Sequence, residues 1–488
     1  MSSGAAQPVT DRFRFKTAHD LRAKAEDLGL ELPFTDEFGV LLQPVTVAGR
    51  VLPNRIAAQP MEGCDGELSG APSSLTRRRY LRFASGGSGL IWFEATSALA
   101  EARANPRQLL LTRDTLPAFR DLVRETRTAA RGRFGPAHSP YLVAQLTHSG
   151  RFSRTAPPGQ RKVACANPFL DREPMPVWTD AELERVRDAL VAAAKLAAEA
   201  GFDAVDIKAC HGYLLHELLG AHTRTNSRYG GAFEHRSRLL VETVAAVRAA
   251  VPGVAVAVRM NATDSVPFPY GFGVAADGAG SIDLSEPRRL VRLLVDAGCT
   301  WLNVTAGIPT YVPHVGRPFD RPAAGTAAPP EHPLVGVVRL LELAGAMQRE
   351  AGDVPVVATG LSWLRQFWPY VGAAVITRGM AGFAGVGRGM LAYPDAPADL
   401  MAHGRLDQTK CCISCSRCTE LMRLGGPAGC AVRDHPLYSG LHRDAIAARS
   451  VGRITLTTAP GTLPESPATD PGGGGSTPRT DVGHRGGS

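Results

Sequence analysis

Eight times between residues 41 and 405 a short apolar run, rich in β-branched residues, is followed by a longer amphipathic stretch. Parallel strands need a crossover between them, and a helix is the usual one, so this alternation is the pattern of repeated βα units. The candidate strands are 55–61, 89–96, 141–147, 203–209, 254–260, 300–305, 354–359 and 382–387. The stretches between them are punctuated as helices. Thr179 and Glu182 form a capping box, Leu183, Val186 and Leu190 keep the helical period, and Gly201 ends the element. Leu240, Val244, Val247 and Val251 recur at the same spacing before Pro252, and Ser285 with Pro287 opens the next helix. Eight consecutive units predict an α/β chain closed into a (β/α)8 TIM barrel, whose chemistry sits where strands end and βα loops begin. An open doubly wound sheet is the alternative, but no G-x-G-x-x-G follows the first strand.

The rest of the chain divides around that barrel. Residues 1–40 form an N-terminal extension, 41–405 the barrel, 406–445 a cysteine-rich segment, and 446–488 a tail of Gly, Pro, Ser and Thr that cannot bury enough apolar area to fold. The formal charge of +8 is spread over predicted helices and forms no basic run, which argues against a nucleic-acid partner. Nothing approaches the length of a membrane span, and the polar N-terminus lacks the apolar core of a secretory signal. A cytoplasmic enzyme acting on a small molecule, away from membranes, is the expectation.

Strand ends carry the candidate chemistry. A flavin would need backbone donors for its phosphate, a polar partner for its pyrimidine edge, and a cation to stabilise the reduced anion. Gly360 after strand seven, and Gly387 with Arg388 after strand eight, put free N–H groups at helix starts in the usual barrel phosphate site. Arg259, closing VAVRM, supplies a cation, and Gln145, in VAQLTHSGR, a donor and an acceptor. In VDIKACHGYLLHELL a strand passes into a helix, so Lys208, His211 and Tyr213 project at the barrel mouth. Cys64 lies near the end of strand one, where a small hydrophobic role is expected.

Five of the 9 cysteines lie in KCCISCSRCTELMRLGGPAGC. In a reducing compartment such clustering points to metal and not to disulfides. Cys412, Cys415, Cys418 and Cys430 give C-x-x-C-x-x-C and a fourth thiol eleven residues on, with Cys411 as a spare that could replace Cys412. The spacing fits an iron–sulfur cluster or a tetrahedral zinc site.

The stretches NRIAAQPM, AQLTHSGR, HGYLLHELL, RYGGAFEHR and GVGRGMLAYPD, in that order, resemble the signatures of the NADH:flavin oxidoreductase / old yellow enzyme family. The nearest likeness is to the FMN barrel and cluster segment of 2,4-dienoyl-CoA reductase and trimethylamine dehydrogenase. The resemblance implies an NAD(P)H:flavin oxidoreductase, ene-reductase-like, with FMN at Pro60, Met61, Gln145, Arg259, Gly360, Gly387 and Arg388. It also implies a [4Fe–4S] cluster on the cysteine segment in place of zinc. His211 and a neighbouring donor would polarise an activated alkene of an enone, enoate or enoyl thioester, with hydride from the flavin and the α-proton from Tyr213. Relatives carry histidine or another neutral residue where Lys208 stands, so an acidic substrate is expected here. Those relatives continue into a dinucleotide-binding domain, whereas this sequence gives way to the tail soon after Cys430, so NAD(P)H at the flavin face or a protein electron carrier is the expected donor. Two other readings compete: an amine or acyl dehydrogenase passing electrons out through the cluster, and a zinc-stabilised barrel without catalysis.

Overall fold

The computed structural model describes residues 12–155 and 160–450. Its eight barrel strands are β1 (Ile56–Ala58), β2 (Leu90–Trp92), β3 (Tyr141–Thr147), β4 (Ala204–Ile207), β5 (Ala255–Asn261), β6 (Trp301–Thr305), β7 (Val356–Ala358) and β8 (Phe383–Val386). All pair in parallel and in chain order, and the ring closes where Val386 of β8 meets Ala58 of β1. The expected (β/α)8 barrel is therefore present, with no unpaired edge.

Alternation along the strands sorts the side chains. Leu142, Ala144 and Leu146 on β3, with Val256, Val258 and Met260 on β5, join the outer core under the helices. The opposite series runs inward and changes character from bottom to top: Tyr141, Val143, Gln145 on β3, Ala204, Asp206 on β4, Ala257, Arg259 on β5, Trp301, Asn303 on β6. The lower members form a separate apolar core in which Trp92, Tyr141, Trp301 and Phe383 are buried. The Trp301 ring lies 5.1 Å from that of Tyr141 and 5.0 Å from that of Phe383. Truncating Trp301 or Phe383 to alanine would cost about 3–5 kcal/mol. A hairpin of Val45–Val47 and Arg50–Leu52 packs Leu52 into that core. Hydrocarbon thus fills the bottom of the barrel, and the polar inward positions collect at the top.

The helix Asp180–Ala200 opens on the Thr179/Glu182 capping box and closes at Gly201, whose φ of 93° is left-handed. The second strand departs from expectation. The run 89–96 forms β2 and a separate pair, Thr96–Ser97, both against β3. Glu94 explains the break: its N–H donates to Tyr80 Oη at 2.7 Å and its carboxylate accepts from Gly63 N at 2.6 Å and from Arg79 at 2.5 Å. These bonds replace those of the ladder.

Beyond the helix Ala396–His403 the cysteine segment docks on loops at the barrel top and on the helix Ser74–Ser85. Ser416 Oγ donates to Arg321 O at 2.7 Å, Ala428 N–H to Gly63 O at 2.6 Å, and Arg78 and Arg82 pair with Asp434 at 2.7 and 2.6 Å. The last described helix is His435–Ser450, which crosses the boundary placed at residue 445. The rest of the expected tail, residues 451–488, lies outside the described residues. In the N-terminal extension Ala18–Asp27 is helical. No described helix is long and apolar enough to cross a membrane.

Candidate active site

Asp206 is the hub of the polar layer. Its carboxylate accepts from Trp92 Nε1 at 2.8 Å, Gln145 Nε2 at 2.6 Å and the Arg259 backbone N–H at 2.7 Å. Burial nevertheless pushes the carboxyl up to about 6. Gln145 spends one amide proton on Asp206, which fixes the way its amide faces. Arg259 Nη1 reaches Pro60 O at 3.5 Å, and its buried Nε has no partner among the described residues.

Further round the ring the strand-end loops could cradle an anion. Gly360, with φ 95°, begins the turns Leu361–Phe367, and Gly387 begins the helix Arg388–Ala392. At Gly387 a Cβ would stand 3.1 Å from Met61 Sδ, and at Gly385 it would collide with Gln59 Nε2 at 2.0 Å, so backbone here lies close beneath the cavity. Around it, Arg388 Nη1 and Arg317 Nε and Nη2 are buried without partners among the described residues. Burial, then the like charges of Arg388 and Arg423, brings Arg317 down to about 9. Unsatisfied guanidinium groups beside small-residue loops fit a bound phosphate. Arg317 escaped sequence reading because GIPTYVPHVGR carries no motif; its position after a barrel strand was the available signal.

Facing this layer is the β4 exit. His211, held at φ 62°, receives the Asn261 side-chain oxygen on its backbone N–H at 3.2 Å, and its Nε2 lies 3.3 Å from Thr305 Oγ1. Burial holds its imidazole well below the usual range, so it is neutral. Tyr213 sits edge-on to Phe152, with centroids 5.9 Å apart, and its hydroxyl lies within hydrogen-bond distance of Glu62 Oε2, at 3.3 Å. Burial and the Glu62 charge push its hydroxyl well above the ordinary value of 10. Burial brings the Lys208 ammonium down to about 8. Glu62 also accepts from Asn105 Nδ2 at 3.0 Å, and the same amide lies 3.3 Å from the sulfur of buried Cys64. Neither Glu62 nor Asn105 was singled out from sequence, although Glu62 directly follows Pro60 and Met61.

All ten expected cofactor and catalytic residues (Pro60, Met61, Gln145, Lys208, His211, Tyr213, Arg259, Gly360, Gly387 and Arg388) line one cavity of about 600 Å³. Cys418, Met422, Leu424 and Ala428 of the cysteine segment line it too. A depression at the opposite end, beside the hairpin, contains none of them.

In that segment Ser414 and Ser416 adopt left-handed φ of 51° and 60°, turning the chain between Cys412, Cys415 and Cys418. The Ser414 N–H bonds Cys412 Sγ at 3.4 Å and the Arg433 N–H bonds Cys430 Sγ at 3.3 Å. Cys411 instead directs its thiol to Asp407 O at 3.5 Å. Among the described residues no three His, Cys, Asp or Glu side chains are grouped closely enough to hold a metal ion.

Residues 40–267 match the pattern of the NADH:flavin oxidoreductase / NADH oxidase family. The chain is 33% identical over 263 residues to an NADPH dehydrogenase of Geobacillus sp. (strain WCH70), covering 51% of this chain and 73% of that one. It is 27% identical over 381 residues to an NADH oxidase of Thermoanaerobacter brockii, covering 76% of this chain and 52% of that one. A solved 2-naphthoyl-CoA reductase shares the fold, with a TM-score of 0.67 at 18% identity over 84% of this chain and 59% of that one. The chain thus spans about half the length of its longer relatives.

Proposed function

The chain belongs to the NADH:flavin oxidoreductase / NADH oxidase family and is an NAD(P)H:flavin oxidoreductase, and from that premise we propose that it reduces an activated carbon–carbon double bond. FMN bound in the cavity supplies hydride taken from NAD(P)H. Arg388, with Gly360 and Gly387, would hold its phosphate, Gln145 its pyrimidine edge, and Arg259 the developing charge of the reduced ring, with Pro60 and Met61 beside it. The buried, unpartnered guanidinium nitrogens of Arg259 and Arg388 support that fit.

The carrying observation is that His211, Tyr213 and Lys208 line the same cavity as Arg259 and Gln145. Neutral His211 orients and polarises the acceptor carbonyl, Tyr213 delivers a proton to the α-carbon, and Lys208 favours an anionic acceptor such as an enoate. Cys412, Cys415, Cys418 and Cys430 would carry a [4Fe–4S] cluster that passes electrons to or from a protein carrier. Backbone N–H bonds to two of these sulfurs suit thiolate ligands, and a four-iron cluster accepts a wider ligand spacing than one tetrahedral ion.

Anaerobic titration with NADH and NADPH, then rapid mixing of the reduced protein with cyclohex-2-enone or crotonate, tests the reading. Tyr213→Phe should slow reoxidation by about 10² to 10⁴ while leaving flavin reduction nearly untouched. Wild-type reoxidation of Tyr213→Phe by both acceptors would overturn the reading and favour dehydrogenation of a saturated substrate.

A further inference from the structure

We propose that Glu62 is the positioning residue that aims and replenishes the proton of Tyr213, an inference that rests on Tyr213 acting as the proton donor. A phenol carries one proton. Where Tyr213 donates to an ionised Glu62, that proton points away from the acceptor. Where Glu62 is a carboxylic acid it donates to Tyr213 Oη across the same 3.3 Å, and the phenol proton is free to face the cavity. The second arrangement is the one that works.

The loop carrying Glu62 is built to hold this contact. Its next residue is pinned on both sides, with Gly63 N–H donating to Glu94 Oε2 at 2.6 Å and Gly63 O accepting from Ala428 N–H at 2.6 Å. Cys64 is held at a φ of 50°, a left-handed conformation that a non-glycine residue adopts only where its surroundings impose it. Asn105 braces Glu62 from the neighbouring loop at 3.0 Å. The titratable groups bearing on the carboxyl are Lys208 and Tyr213 from the β4 exit, Glu94 from the β2 exit and Cys64 from its own loop. Burial favours the neutral acid, and Lys208 opposes it.

The transfer balances. The Tyr213 O–H bond breaks as the α-carbon C–H bond forms, and the Glu62 O–H bond breaks as the Tyr213 O–H bond is restored. Water at the cavity mouth reprotonates Glu62, and the hydride comes from the oxidoreductase activity of the family. The Lys208 ammonium above the ring offsets the charge that Tyr213 carries between the two transfers.

Reoxidation of the reduced holoenzyme by cyclohex-2-enone across pH 6–9, beside an infrared pH-difference spectrum of the oxidised holoenzyme, tests the proposal. Glu62→Gln should slow reoxidation by about 10- to 100-fold and remove the Glu62 limb from its pH profile, leaving only the limb near pH 8 that Lys208 sets, with flavin content and reduction by NAD(P)H unchanged. Glu62→Asp should recover part of the rate with its pH limb moved to lower pH. The carbonyl band of protonated Glu62 should be lost in Glu62→Gln, leaving the bands of other raised buried carboxyls, such as Asp206, Glu94 and Asp264, in place. A wild-type rate and pH profile in Glu62→Gln beside a slow Tyr213→Phe overturns the relay but leaves Tyr213 as donor; a wild-type Tyr213→Phe removes its foundation. If the amide variant does not hold FMN, an unshifted profile in Glu62→Asp overturns it equally.

Discussion

The Lys208 ammonium stands 3.4 Å from the centroid of the Tyr213 ring, over its face. Electrostatic attraction to the ring quadrupole holds the cation in place, and the same cation lowers the cost of placing negative charge on the phenol oxygen. The expected acid-binding lysine and the expected proton donor are thus one unit.

That unit makes recognition of anionic acceptors depend on pH. Because burial brings Lys208 down to about 8, its charge is lost as pH rises through that value. KM for crotonate should rise about tenfold between pH 7 and 9, following the falling charged fraction, while KM for cyclohex-2-enone stays flat. Lys208→Met should abolish the difference between the two acceptors. Equal pH dependence for both in the wild type would refute the acid-recognition role.

Arg259→Ala should weaken FMN binding by about ten- to a hundredfold, the range for loss of a charge-assisted hydrogen bond, and lower the flavin midpoint potential. Fluorescence titration of the apoprotein and a spectroelectrochemical measurement read the two effects. Full flavin occupancy with an unchanged potential would place Arg259 among the structural residues.

Anaerobically prepared protein should contain about four irons and matching acid-labile sulfide per chain. Cys415→Ser should remove both, whereas Cys165→Ser, buried away from the segment, should remove neither. Zinc in stoichiometric amount with no iron would show that the segment is a zinc site.

His148 tests acid stability. It is buried, accepts the Gly150 N–H on Nδ1 at 3.1 Å, and burial brings it down to about 3. An unfolded histidine titrates near 6.5, so below that pH the unfolded state binds a proton that the folded state refuses. The stability this provides is complete above pH 6.5 and is lost as pH falls toward 3. Between pH 6.5 and 5 the loss is about 2 kcal/mol, at about 1.4 kcal/mol per pH unit. Unfolding free energies from urea titrations at pH 7 and 5 should converge by that amount in His148→Gln relative to the wild type.

Periodicity and punctuation made the barrel legible. Thr179, Glu182 and Gly201 act locally, and the structure uses them as caps. The break at 93–95 was hidden, because Glu94 leaves the ladder only when Gly63, Arg79 and Tyr80, remote in sequence, arrive beside it. Among the site residues, Gln145 and Arg259 could be found because each closes an inward alternation on a long strand. Glu62 and Arg317 carried only their positions after barrel strands, since nothing local marks a charge in a loop as buried; only the assembled cavity does. The cysteine spacing was visible, but that it would bring Cys418 to the wall of the barrel-top cavity was not.

The hydrogen bond from Ala428 to Gly63 joins two stretches more than 350 residues apart in sequence. Met422, Leu424 and Ala428 roof a chamber whose floor belongs to the barrel, so the roof can be exchanged as a unit. Grafting residues 406–450 between relatives, which keeps the helix His435–Ser450 whole, would resize the entrance without altering a single strand, giving an engineer control of which molecules enter.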